Sequence, residues 1–308
     1  MAIPGGSLTG TSAISNLVQT AYDQYVRMAL RSIPVMRALA DVKPVQQAMP
    51  GSSVVFSIYS DLAQATSTLT EASDVSSIAL GNPTNVPVTL NEYGSAVTTT
   101  KKLNLTSFND VDQALADIIA YNAADSVDAI VASVLTGGSN VLYAGTATTT
   151  AGITASQKMT VSLLRQAVTE LRTNKALPRI GELYAAYLHP RQTADLRAET
   201  GTGGFQELSK YVDRTPFVAG AVGVIEGAFV VETPRVPYAT NGTTNVYKAV
   251  VAGREALAEA MGQDISTVIG PQIDALRRFH TIGWYYFGGF SLLRQAALYR
   301  IETAATNG

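Results

Sequence analysis

Residues 107–136 carry the longest unbroken helical periodicity in the chain, and any fold it adopts must be built around them. Ser107 can cap such a helix, Asp110 and Asp112 fall in the first turn where the macrodipole favours negative charge, and Gly137-Gly138 stop it. Leu115, Ile119, Ala123, Val127, Ile130 and Val134 recur every three or four residues. Asp112, Asp125 and Asp128 are spaced to lie largely off that stripe and read as a solvated face. At ~1.5 Å per residue the helix spans about 43 Å, longer than most globular helices, which predicts a spine.

The segments before the spine bury little. Residues 1–16 are rich in Gly, Ser and Thr, and Leu17, Tyr22, Tyr25, Val26 and Leu30 follow with roughly helical spacing: an arm leading into a short helix. Pro34, Pro44 and Pro50 interrupt residues 33–51 and favour an extended path that reaches across a neighbouring surface. Val54, Val55, Phe56 and Ile58, then Val88, Leu90, Tyr93 and Val97 within 86–100, predict two strands of one hairpin. Residues 61–85 between them are mostly Ser, Thr, Ala and acids, long for a hairpin tip, so this loop needs an outside partner or stays disordered.

After the spine the pattern is mixed. Residues 160–175 predict a second helix with Val161, Leu164, Val168 and Leu171 inward, 183–188 a buried strand broken by His189-Pro190, and 191–199 a short helix before a turn at 201–204. Residues 222–231 and 247–251 read as sheet segments on either side of Pro234 and Pro237. The tail predicts strands over 279–286 and 290–301, with a bend or turn at Gly288-Gly289. The class is α+β, and 308 residues are enough for two lobes.

Composition narrows the function. Charged residues are 15% of the chain against roughly a quarter in an average domain, a shortage typical of surface used in protein contacts. A net charge of −2 argues against tight nucleic-acid binding, and the absence of cysteine removes disulfides, thiolate metal sites and thiol nucleophiles. The most apolar window, 218–231, is too short for a membrane span and contains Glu226, and residues 1–10 lack a basic start, which reads as a soluble protein without a targeting signal. His189 and His280 stand alone and read as structural; Gly201-Thr202-Gly203-Gly204 lacks the Lys-Ser/Thr of a phosphate loop, and Ile225 stands where a nucleophile elbow needs Ser. Arg277-Arg278 and the aromatics Trp284, Tyr285, Tyr286 and Phe287 read as packing rather than base stacking. No catalytic, cofactor-binding or metal residue is expected.

The order of these segments resembles the Hong Kong ninety-seven type capsid fold of tailed bacteriophages. Locally, Gly51-Ser52-Ser53-Val54-Val55-Phe56, Leu69-Thr70-Glu71, residues 86–94, and 274–279 leading to Gly283-Trp284 are similar to coat proteins related to that of phage N-four. The resemblance implies an N-terminal arm (1–50), an extended-loop hairpin (51–100), a peripheral domain (101–150 and 246–295) with its spine helix at 107–136 beside long strands, and an α/β axial domain (151–245 and 296–308). It implies a major capsid protein whose copies form hexamers and pentamers of an icosahedral shell around double-stranded DNA, in the virion, after assembly in the host cytoplasm. Expected partners are the chain itself, a separate scaffolding protein, a portal, a decoration protein, and DNA through weak non-specific contact, with no membrane. Tyr22, Tyr25, Leu62, Leu69, Glu71, Gly203 and Phe205 are the expected inter-subunit contacts. A nanocompartment shell on the same fold is the closer alternative, and a soluble α/β enzyme the more distant one.

The founding member of that fold joins subunits through a lysine of its extended loop, whereas this chain has no lysine between Lys43 and Lys101. Mature shells boiled in detergent are therefore expected to run as monomers; a ladder of covalent oligomers on the gel would overturn this.

Overall fold

A computed structural model describes residues 34–44, 52–69, 71, 74–75, 77–106, 111–200, 223–270, 276 and 278–306. In chain order a 3-10 turn, Met36–Leu39, leads into β1 (Ala40–Pro44), β2 (Ser53–Ile58), β3 (Thr84–Thr89), β4 (Asn91–Thr100), α1 (Lys101–Thr106) and α2 (Val111–Leu135). Then come β5 (Val141–Tyr143), α3 (Val161–Thr173), β6 (Tyr184–Leu188), α4 (Pro190–Ala198), β7 (Val224–Ile225), β8 (Ala228–Glu232), β9 (Tyr238–Asn241) and β10 (Thr244–Ala252). The chain closes with β11 (Leu257–Ile269), β12 (Phe279–Leu292) and β13 (Leu298–Thr303).

Two main sheets result. A four-stranded sheet runs β1-β11-β12-β4, with β1 parallel to β11; a seven-stranded sheet runs β5-β13-β10-β6-β8-β7, with β9 also on β10. Strand β10 corrects the sequence reading, which grouped 246–252 with the tail strands: it lies inside the seven-stranded sheet between β13 and β6. Its continuous apolar run, with Val246, Ala249, Val250 and Val251 all buried, is what a strand covered on both faces requires. Helix α3 packs one face of that sheet through Val161, Leu164, Val168 and Leu171, and Thr160 caps it by accepting from the Leu163 amide at 3.3 Å. His189 caps α4, accepting from the Arg191 amide at 3.2 Å and stacking on Tyr247.

Helix α2 serves both sheets. Buried residues recur every four, from Leu115 through Ile119, Ala123, Val127 and Val131 to Leu135. Each four-residue step turns about 40° beyond a full circle, so the stripe winds around the helix. Leu115–Val127 accordingly pack on Ile282, Trp284 and Tyr286 of β12, while Val131, Ala132 and Leu135 pack with Ala185, Val250 and Leu257 at the junction of the two sheets. The sequence reading kept the stripe on one face, and therefore chose Ile130 and Val134, which are only partly buried. Ser107 and Asp110 lie outside the described residues. Leu115–Leu135 is also long and apolar enough, by composition, to cross a membrane, a window the sequence reading passed over; here its buried side chains face the sheets.

Three further expectations change. The run 86–100 is two strands in different sheets: β3 pairs with β2, and β4 with β12. Residues 222–231 fold back as the β7–β8 hairpin, whose turn holds Glu226 at φ 50° and Gly227 at φ 83°. Residues 34–44, expected to lie over a neighbour, instead pack at home, with Met36 and Leu39 buried and β1 in register with Leu257–Met261.

Gly288-Gly289 make no turn. β12 runs straight through them, because the β3–β4 junction crosses its backbone there and leaves no room for side chains. A Cβ on Gly289 would overlap the Thr89 carbonyl oxygen, and one on Gly288 would stand 2.8 Å from the Ala260 carbonyl oxygen. Gly289→Ala is therefore expected to destabilise the chain by about 3 kcal/mol or more, as overpacked backbone does, while Gly152→Ala, whose Cβ meets nothing nearer than 3.5 Å, should leave the urea midpoint unchanged. Equal midpoints for the two variants would refute the crossing.

Candidate assembly surfaces

The β2–β3 hairpin keeps its root at home and presents the rest of its length to solvent. Val54, Val88 and Leu90 bury against Ala258 and Ala260 of β11, and the Leu90 amide donates to the Ser52 carbonyl at 2.8 Å. Pairing runs from Ser53↔Thr89 to Ile58↔Thr84. Beyond it, the described residues of 59–83 form neither helix nor strand, and Leu62, Leu69, Val75, Ile78 and Leu80 are between 56% and 78% exposed. Each such side chain gains about 1.5–3 kcal/mol on full burial, and nothing among the described residues supplies that burial. Of the expected contact residues, Leu62, Leu69 and Glu71 stand on this loop in solvent. Tyr22, Tyr25, Gly203 and Phe205 lie outside the described residues.

A buried charged network fixes the entry to the hairpin, and the sequence reading missed it. Asp128 is 1% exposed, and its Oδ1 accepts from the backbone amides of Met36 at 2.7 Å and Arg37 at 3.1 Å. Those amides open the 3-10 turn, so Asp128 acts as a cap supplied from the spine helix. Arg235 approaches its other oxygen to 3.7 Å and also pairs with Asp125. The side chain of Arg37 then reaches Glu259, which is fully buried in β11, at 2.7 Å, and Asp264 at 2.9 Å. Tyr286 donates its hydroxyl to the same Glu259 oxygen at 2.9 Å.

These surroundings shape the titrations. Burial pushes the Tyr286 hydroxyl above the usual phenol range, and the Glu259 charge adds to it, so Tyr286 remains a donor. Burial opposes the charge on Arg37, but its bonds to Glu259 and Asp264 outweigh that and raise it overall. At Asp264 burial would raise the carboxyl, yet the Arg37 hydrogen bond prevails and holds it below the usual carboxylate range. The Tyr187 hydroxyl, which donates to the Val35 carbonyl at 3.3 Å, is pushed up to about 12 by burial together with the Asp128 charge. Sequence periodicity held one usable signal: once Val131 and Leu135 are taken as the buried positions, Asp128 falls beside them on the same face.

Among the described residues no cluster of His, Asp and Glu could hold a metal ion. The clefts are shallow and meet at the root of the hairpin around Glu255, lined by residues such as Arg254, Leu293 and Phe56. The candidate assembly surface is a projecting loop with exposed apolar side chains on a packed root. Residues 12–299 match the phage capsid protein family. The chain belongs to that family. It is similar in fold to the capsid of cyanophage P-SCSP1u, with TM-score 0.74 and 17% identity over 95% of this chain and 94% of that one. It is similar also to the capsid of Ralstonia phage GP4 (TM-score 0.73, 15% identity, 98% and 99% covered) and to cyanophage Pam1 (0.73, 15%, 98% and 100%). No curated protein sequence matches. The fold is thus the Hong Kong ninety-seven type, and the chain is a phage major capsid protein, a structural subunit; the nanocompartment alternative is not favoured.

Asp128→Ala would leave the Met36 and Arg37 amides without their acceptor in a dry site and take from Arg235 one of its two carboxylate neighbours, a loss of about 1–3 kcal/mol for each orphaned amide. The urea midpoint should fall accordingly, and Asp128→Asn, which keeps an acceptor oxygen, should recover part of it. A midpoint unaffected by Asp128→Ala would show that the cap is not needed.

Proposed function

We propose that copies of this capsid protein associate without covalent links into hexamers and pentamers of an icosahedral shell enclosing double-stranded phage DNA. The exposed apolar loop 59–83 is the observation that carries this reading: an exposed apolar surface of that kind marks a place that a partner covers. In the shell, the loop and the arm 1–33 lie over adjacent subunits. The four-stranded sheet with α2 forms the peripheral domain, and the seven-stranded sheet with α3 and α4 forms the axial domain, so the boundary falls after β10 instead of before it. The family is structural, which supports a role without catalysis. A separate scaffolding protein guides closure, a portal occupies one vertex, a decoration protein joins the finished surface, and DNA touches the inner wall weakly, in keeping with a net charge of −2. Assembly takes place in the host cytoplasm and the product is the virion head.

Size-exclusion chromatography and negative-stain microscopy of the expressed chain, alone and with its scaffolding protein, test this. Closed shells or capsomers of five or six copies are expected. Replacing Leu69, Ile78 and Leu80 together by Ser should leave the monomer as stable as the wild type while cutting particle yield at least tenfold. A wild-type chain that stays monomeric under every assembly condition would sink the proposal.

A further inference from the structure

Three connected clefts, of about 190, 390 and 410 Å³, form one groove at the hairpin root. Glu255 lines all three, and Phe56, Leu177, Arg254, Leu293 and Arg294 each line two. Its floor is partly apolar and unusually open: Val42 is 50% and Leu177 61% exposed. Its walls are charged, and the charges do not cancel. Asp41 is taken by Arg179 at 2.6 Å and Glu255 by Arg294 at 2.6 Å. Lys43, Lys175 and Arg254 remain, lining the clefts without an acidic partner among the described residues. Lys43 instead stands 5.1 Å over the Phe56 ring.

A groove with an apolar floor and surplus positive charge calls for an occupant of the opposite charge carrying apolar side chains. Loop 59–83 has that composition: Asp61, Glu71 and Asp74 are its only charged residues, beside the exposed Leu62, Leu69, Val75, Ile78 and Leu80. The other candidate segments of the chain do not. Residues 1–33 carry Asp23 against Arg27 and Arg31, a basic balance, and 201–222 carry Glu207 and Asp213 against Lys210 and Arg214, a neutral one. At ~3.3 Å per residue, half the loop extends about 40 Å, enough to cross a neighbouring subunit. We infer that this groove is the receptor for loop 59–83 of a second copy, with Lys43, Lys175 and Arg254 facing Asp61, Glu71 and Asp74 across the interface. The inference rests on the assembly reading above and adds the acceptor site to it.

Charge reversal tests it. One variant carries Lys43→Glu, Lys175→Glu and Arg254→Glu; a second carries Asp61→Lys, Glu71→Lys and Asp74→Lys. All six side chains are on the surface, so both monomers should match the wild type in circular dichroism and urea midpoint. Each alone should assemble at least tenfold less efficiently, measured by sedimentation and microscopy, because like charges meet at every contact. Mixed one to one, the two variants should co-assemble into six-membered rings, where they can alternate and each loop finds an opposite groove on the other copy. Wild-type shells together with no loss in the groove variant, or no rescue on mixing, would overturn the groove assignment while leaving the capsid reading intact. Placing all six changes in one chain restores opposite charges between copies and should recover closed shells; a chain with all six changes that does not assemble would likewise overturn it. A wild-type chain that never assembles would bring down both.

Discussion

Everything in this subunit depends on one helix having to satisfy two cores. Helix α2 packs the four-stranded sheet with its first half and the junction with the seven-stranded sheet with its last turns, so the relative placement of the two sheets is set by the winding of a single apolar stripe. The four-residue recurrence of its buried side chains is what makes the stripe wind. Had the buried positions alternated evenly between three and four, both cores would have had to lie on one side.

The charged network stands at that junction for a reason tied to the helix. A capped 3-10 turn before β1 needs an acceptor where its first amides emerge, and Asp128 is the spine residue that comes within reach. Arg37, positioned by that cap, neutralises Glu259, which otherwise would be a bare charge in the packed interior between helix and sheet. Removing a member therefore exposes the next, so the entry of the arm, the spine and β11 are linked through contacts that need one another.

Long periodic elements were legible in the sequence because they obey one local rule. The spine, α3 with its Thr160 cap, the buried strand β6 and the hairpin with its overlong loop all follow from side-chain period, capping chemistry and turn length. What escaped was decided by distant parts of the chain. Gly288-Gly289 read as a turn because glycine pairs often are; here they are flat strand because β3 crosses them, a fact carried by residues some two hundred positions away. Strand β10 went to the wrong sheet because an apolar run does not name its neighbours. The exposure of Leu62, Leu69 and Glu71 was readable from an overlong hairpin loop, whereas the groove combines residues from β1, β2, the segment after α3 and the turn before β11, and no local pattern announces it.

The glycine crossing has a mechanical side. Where Thr89 passes over Gly289, the hairpin and the sheet meet backbone to backbone, because the glycine has no side chain to hold them apart. That contact is a fulcrum close to the root of a long arm. A slight rocking at the crossing, too small to break the pairing of β2 with β3, is magnified along the loop into a large sweep of its tip. One subunit can thus meet neighbours at different distances and tilts, as the places on a closed curved surface demand, without remodelling either of its cores.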